Sequence, residues 1–262
     1  FVLQGRAQEA LQSIHEGRFQ LRQMGQTEET DPDFFHVFDL FEAQAQVLLG
    51  NSRVALATVD EALQRVRRIK GSDRYSLCRI FAGVVFCVNE SPDIDPSVTD
   101  SIEAFLALAR EPKRMPYYLR SFYISVAYLR LQEVGEALPH ERDKRLEVLG
   151  EALKLLDSAA AVPFFRCHYL VIRAAEARFR GRARLAESRL VEAEGMAREV
   201  SSPWVLYEVA RQRAHLLSES GNYPGSMLCA QTALALCIDG GWGLRARKLR
   251  AEFPQLASGQ TA

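Results

Sequence analysis

The sequence predicts an all-α chain, a right-handed superhelical solenoid of antiparallel helix pairs in units of roughly 40 residues. Three observations predict it. Apolar residues recur at helical spacing in several segments, with no sustained strand alternation. Prolines stand where helices should begin. Alanine and glycine then recur at fixed distances from those prolines.

The helix starts are expected at Pro32, Pro116, Pro163 and Pro203, with Asp31 and Ser202 as capping side chains and the charged turn Lys113-Arg114 ahead of Pro116. Proline suits the first helical turn because its missing N–H would have no intrahelical partner there. Eleven residues beyond each proline stands Ala43, Ala127, Ala174 or Ala214. Eighteen beyond come Gly50, Gly181 and Gly221, with Val134 beside Gly135 in the remaining copy. Twenty-three beyond come Ala55, Ala186 and Ser226, and thirty beyond come Ala62, Ala193 and Ala233. The copy from Pro116 reaches Ala152 if its loop, around Glu136 to Arg142, holds six extra residues.

A further copy placed from Gly71 sets Ala82 at the eleventh position and Asn89 at the eighteenth, with Asp95 as N-cap and Pro96 as first residue of its second helix. The stretch Leu3 to Leu11 repeats the second half of the pattern, with Gly5 as its turn. Starts at 32, 71, 116, 163 and 203 give spacings of 39, 45, 47 and 40. The expected organisation is a partial unit over 1–25, units over about 32–70, 71–111, 116–159, 163–200 and 203–239, a closing helix over 242–253 and a polar tail over 255–262.

The spacing has a steric cause. Antiparallel helices joined by a short turn need small side chains where their axes come closest, at about 8–10 Å. Glycine at position eighteen ends the first helix in a left-handed conformation that a Cβ disfavours. One pair cannot bury its own apolar face, so the pairs must stack.

On these residues the chain resembles the tetratricopeptide repeat. Gly50-Asn-Ser-Arg-Val-Ala55-Leu-Ala-Thr-Val-Asp-Glu-Ala62-Leu63 resembles that family's turn and second helix, as does Gly221-Asn-Tyr223-Pro-Gly-Ser226 followed by Ala233-Leu234. The likeness spans nearly the whole chain. It departs from the family in unit length, about 40 residues against 34, and in lacking the family's tryptophan and tyrosine. Longer units of this sort are similar to the helical sensor regions of bacterial multidomain signalling proteins, such as maltose-activator-like regulators and other signal-transduction ATPases. The closing stretch from Gly240 to Pro254 resembles the last half-repeat of helical regions appended to bacterial ATPases, Ser/Thr kinases and cyclases. Read physically, it is a capping helix with Leu244, Leu249 and Phe253 inward and its four basic residues outward.

Composition excludes several function classes. The 33 basic and 33 acidic side chains balance, so no global field draws a polyanion or an anionic membrane. Only five of the basic residues are lysine, which reads as GC-rich coding and a bacterial source. Cys78, Cys87, Cys167, Cys229 and Cys237 are odd in number, without a Cys-x-x-Cys pair, and sit in apolar helical stretches. Buried reduced thiols and a cytoplasmic location are expected. The longest apolar run, Ile80 to Val88, falls far short of the ~20 residues that a membrane helix needs. The start at Phe1, in what reads as the end of a truncated helix, suggests a piece of a longer protein.

The resemblance implies a concave groove lined by first helices, at positions five, eight, twelve and fifteen after each proline. Those are Val37, Leu40, Gln44 and Val47; Ser121, Ile124, Tyr128 and Leu131; His168, Val171, Ala175 and Arg178; Glu208, Arg211, His215 and Ser218. The expected partner-binding residues among them are Gln44, Ser121, Ile124, Tyr128, His168, Val171, Arg178, Glu208, Arg211 and His215. The set runs from apolar in early copies to charged in late ones. Either the groove takes a peptide with one apolar and one anionic end, or a neighbouring domain of the same longer chain covers its apolar half.

Rival chemistries fare worse. Cys167 beside His168, and His215 with Glu208, invite a metal or catalytic reading, but sequence neighbours point to different helix faces and no third ligand has suitable spacing. Gly240-Gly-Trp-Gly243 is too short for a phosphate loop and lacks the strand that precedes one. The run Arg65-Val-Arg-Arg-Ile-Lys70 reads as a solvated helix end, where cations complement the helix dipole. Arg178, Arg180, Arg182 and Arg184, flanked by Glu176 and Glu187, read the same way. Phe34, Phe35, Phe164, Phe165 and Trp204, with Tyr117 and Tyr118 in the matching place, recur after the prolines as packing between units, not as a base-stacking platform. No catalytic residue, cofactor or metal is expected, and neither nucleic acid nor membrane as partner. The expectation is a non-catalytic scaffold for protein interaction or ligand sensing within a larger signalling protein. Its rivals are a homo-oligomerisation arm, using the early groove or the apolar end near Phe1, and an all-helical enzyme with a site between helices.

Overall fold

The computed structural model describes residues 2–27, 30, 32–68, 74–91, 98–109 and 111–256. All its regular structure is helical, with no strand among the described residues. Twelve α-helices appear there: α1 (Ala7–Gln23), α2 (Pro32–Leu48), α3 (Ser52–Arg68), α4 (Arg74–Glu90), α5 (Val98–Leu108), α6 (Ser121–Glu136), α7 (Arg142–Ala159), α8 (Pro163–Phe179), α9 (Ala183–Glu199), α10 (Pro203–Glu219), α11 (Tyr223–Asp239) and α12 (Gly243–Glu252). Each packs mainly on its neighbours in sequence. The chain forms two compact units, one of residues 1–2 and 6–126, the other of residues 3–5 and 127–262; the division runs through α6.

The 40-residue spacing of Pro163 and Pro203 has a simple origin. Helices α8 and α9 are 17 residues each, and the turns after them, 180–182 and 200–202, are three each. Each turn is closed by the same pair of backbone bonds. At Gly181 the N–H reaches the Arg178 carbonyl at 2.9 Å, and the next N–H, of Arg182, reaches Ala177 at 2.8 Å. The same pair recurs at Gly25, Gly50, Gly221 and Gly241, all left-handed, with φ between 69° and 89°. It recurs also at Ser201, whose φ of 50° is the one positive value at a non-glycine among the described residues. This bond pattern satisfies orphan carbonyls at the helix end and needs a left-handed residue, which glycine supplies without a Cβ penalty. Ser202 then caps α10 by accepting the Val205 N–H, ahead of Pro203.

Small residues sit where the paired helices meet. Ala174 and Ala186, on α8 and α9, are buried, as are Ala214 and Ser226 on α10 and α11. Ser226 turns its extra hydroxyl to account by donating to the Ala214 carbonyl at 2.8 Å, so a polar atom is buried without loss. In the first unit Ala43, Ala55, Ala62 and Ala82 are equally buried. There α4 is wrapped by α2, α3 and α5, and it is apolar over most of its surface. Ser76 and Arg79 are its buried polar residues, and Arg79 donates to the Tyr118 hydroxyl at 2.9 Å.

Two expectations need correction. No α-helix begins at Pro116: its ψ of 144° is extended, a one-turn 3-10 helix follows at Tyr117–Leu119, and α6 starts at Ser121. Arg120 holds this entry by donating to the carbonyls of Met115 and Lys113 at 2.9 and 2.7 Å. The closing helix also does not turn all its cations outward. Arg245 is buried, and Leu244 only half so. The expectations for Asp31, Lys70, Gly71, Asp95, Pro96, the Phe34 side chain and the tail from residue 257 fall outside what the structure describes.

Exchanging Ser201 for Gly should stabilise the protein by about 1 kcal/mol, because the left-handed turn then loses its Cβ penalty. Gly221→Ala should cost a similar amount, and Ala174→Leu about 1–3 kcal/mol by overpacking. Denaturant midpoints of the three variants check all three signs.

Candidate functional site

In the second unit α8 and α10 pack on each other, and the helix ahead of them (α6) and the one after (α12) add side chains to the same line of polar and aromatic groups. At one end lies His168, fully buried. Its Nδ1 stands 3.1 Å from the Tyr128 hydroxyl, and its ring meets Trp204 and Phe164 edge-to-face at 4.8 and 5.1 Å. Burial, helped by the nearby Arg245 charge, pushes the imidazole down to about 3, so it is neutral at ordinary pH. Burial likewise pushes the Tyr128 and Tyr207 phenols well up and the Cys167 thiol up to about 12.

Arg245 enters from α12 and lies over three aromatic rings, 4.4 Å from the centroid of Trp204, 5.0 Å from Trp242 and 5.5 Å from Tyr207. A guanidinium that sheds water among aromatic faces recovers part of the loss through cation–π attraction, about 2 kcal/mol when desolvated. Trp242 is itself wedged in place. Its indole N–H donates to the Gly5 carbonyl at 2.9 Å, and a Cβ on either Gly5 or Gly240 would collide with its ring.

The other end is ionic. Arg211 makes two parallel bonds to Glu252, of 2.7 and 2.6 Å, and a third to Glu208 at 3.2 Å. His215 Nε2 joins Glu252 at 3.1 Å while its ring rests against Phe253. Burial alone would weaken the Arg211 charge, but Glu208 and Glu252 outweigh it and hold the guanidinium charged. For Glu252 burial also opposes the charge, and Arg211 and His215 reverse it, holding its carboxyl far below the usual carboxylate range. Arg178, partly covered, lies over the Phe179 ring and pairs with Glu219. Lys248 of α12 donates to Gln132 of α6 at 2.9 Å.

The sequence-derived positions therefore separate into three groups. Gln44, Ser121 and Ile124 belong to the first unit and are buried. The Gln44 amide is fully covered and meets no hydrogen-bond partner among the described residues. Tyr128, His168, Val171 and Glu208 are buried in the second unit, and Tyr128 and His168 are brought together there. Arg178, Arg211 and His215 are partly covered, each held by a glutamate. Arg65 is not a merely solvated helix end: it bonds the buried Asp39 at 2.5 Å, opposite Arg18 at 2.7 Å. Among the described residues no three or more His, Cys, Asp or Glu are grouped to hold a metal ion, and no helix is long and apolar enough to cross a membrane.

Arg245, Lys248 and Glu252 were not among the positions selected from the sequence. Counted from Gly243, which opens α12 as Pro203 opens α10, only Lys248 falls at position five, where His168 and Glu208 stand; Arg245 and Glu252, at positions two and nine, lie outside that register.

Since the unfolded imidazole near 6.5 takes up a proton that folded His168 refuses until about 3, this residue destabilises the fold as pH falls below 6.5. The loss from this residue should reach about 2 kcal/mol by pH 5. Denaturant unfolding at pH 7.5 and pH 5 should show His168→Gln losing correspondingly less than the parent protein. No family model matches the chain, and comparison with curated proteins and with solved structures finds no match either.

Proposed function

We propose that this chain is a non-catalytic scaffold for protein interaction or ligand sensing, built as a right-handed stack of tetratricopeptide-like helix pairs and forming part of a larger bacterial signalling protein in the cytoplasm. The observation that carries this reading is the recurrence of one turn, with its left-handed residue and bond pair, between 17-residue helices that meet at alanines. Such units present side chains of like register on one side, where a peptide or a neighbouring domain of the same chain would lie. The state of the reactive groups supports a non-catalytic role. Cys167 is held as a thiol, Tyr128 and Tyr207 as phenols and His168 as neutral imidazole, so none is poised as nucleophile or base near neutral pH.

The half-exposed ends of the polar line are the places a partner would touch, chiefly His215 and Lys248. With a partner identified by crosslinking and then purified, His215→Glu together with Lys248→Glu should weaken binding at least tenfold in titration calorimetry. Arg184→Glu with Arg189→Glu, on α9, should leave it unchanged. Equal losses from the two pairs, with folding intact by circular dichroism, would refute the first-helix side as the binding face.

A further inference from the structure

Helix α11 breaks the rule by which the other water-facing helices of its unit are built. From Tyr223 to Ile238 it carries no ionised side chain, whereas α9 carries seven in the same length. Yet α11 is not covered. Tyr223, Leu228 and Ile238 are 69 %, 66 % and 63 % exposed, and Thr232 and Ala235 lie open between the last two. Leu228, Thr232, Ala235 and Ile238 follow one another at helical spacing, so they form a single ridge. Beside that ridge runs a groove of about 450 Å³ with an apolar floor of Leu206, Val209 and Ala210 from α10, one wall of α11 that includes Ala235 and Leu236, and a facing wall of α9 that carries Glu194 and Arg198. An exposed apolar patch of this kind marks a contact surface.

We propose that this face is a two-fold interface, the α11 ridge of one copy of this chain seating in the α10–α11 groove of a second copy. The occupant follows from three features. Ridge and groove share one helix, so a two-fold operation that puts the ridge of the first copy into the groove of the second does the reverse at the same time. A two-fold axis sets each residue near it against its own counterpart, and a charge there would meet its like; α11 has none along its ridge. The small Thr232 and Ala235 lie midway between Leu228 and Ile238, letting two antiparallel α11 helices approach while Leu228 of each falls opposite Ile238 of the other. The single ionised residue of α11, Asp239 at its C-terminal end, then comes level with Met227 of the second copy. There it meets the positive end of that helix and Arg213, which lines the same groove. Arg213 is already held by Glu187 and Glu194, at 3.0 and 2.9 Å, so the apolar ridge carries the association and the end charges orient it.

This interface is separate from the first-helix side and stands whether or not a partner binds there. The test is the mass of the whole chain in solution, by light scattering and sedimentation over a wide range of concentration. A reversible dimer is expected. Leu228→Glu with Ile238→Glu should weaken it at least tenfold without changing the helical spectrum, or the melting temperature at concentrations where the parent is monomeric, since in the monomer both side chains are already in water. Val191→Glu, an exposed apolar position on α9, should leave the dimer intact. With Cys229→Ser as background, Ala235→Cys should oxidise to a linked dimer and Leu228→Cys should not, because only the former lies near the axis. A monomer at every concentration, or a dimer that survives the double glutamate exchange, would overturn the proposal. Linkage through Leu228→Cys and not Ala235→Cys would overturn the antiparallel arrangement.

Discussion

The close approach of helix axes at alanine is the constraint on which the rest of this structure depends. Two 17-residue helices, each about 25 Å long, can lie against each other over most of their length only if no bulky side chain stands between them. Buried Ala174 on α8 and Ala186 on α9, and Ala214 with Ser226 bonded to its carbonyl, meet that condition. Close packing in turn fixes the length of the turn, because three residues suffice to reverse direction across so short a gap. The turn then demands a left-handed residue. Alanine, helix length, turn and glycine are therefore one requirement expressed at four positions.

What the apolar contacts do not fix, the polar line does. Alanine contacts are small and nearly uniform along a helix, so by themselves they specify register weakly. The bonds from Arg211 to Glu252 and the caging of Arg245 among Trp204, Tyr207 and Trp242 are directional, and each joins α12 to α10 in a single setting. Breaking such a buried pair costs more than forming it gains, since the remaining charge is left in poor solvent. Their contribution is thus to specificity of assembly more than to net stability. In the first unit Asp39, bonded by both Arg18 and Arg65, fills the same role between α1, α2 and α3.

The contrast between α9 and α11 shows how differently two helices of the same length can serve one scaffold. Both bury alanines on their inner faces: Ala186, Ala193 and Ala197 on α9, and Ala230 and Ala233 on α11. Their outer faces diverge. On α9 arginine and glutamate alternate and pair, as Arg189 with Glu192 and Arg198 with Glu194, which suits a face meeting only water. On α11 the exposed residues from Tyr223 to Ile238 are uncharged, with Leu228, Ala235 and Ile238 beside Gln231 and Thr232. Inner faces are set by the neighbour within the fold, whereas outer faces are free to record what lies outside it.

Local constraints were legible in the sequence, and contacts between distant residues were not. Helix periodicity and starts such as Pro163 and Pro203 could be read because each depends on a few residues adjacent in the chain. So could glycine at the turns and alanine at the crossings. Pro116 misled for the same kind of reason in reverse: the proline pattern fits a helix start, but Arg120 reaches back to two carbonyls and holds an extended entry that no local count reveals. Burial of the expected binding residues, the inward turn of Arg245 and the wedging of Trp242 between Gly5 and Gly240 were decided by the tertiary structure alone. Whether a charged or aromatic side chain at a given register faces water or a neighbour depends on residues scores of positions away. By itself, then, the sequence determined a helical chain and the register of its turns. Which polar groups meet, and in what state of protonation, had to wait for the packing that takes them out of water.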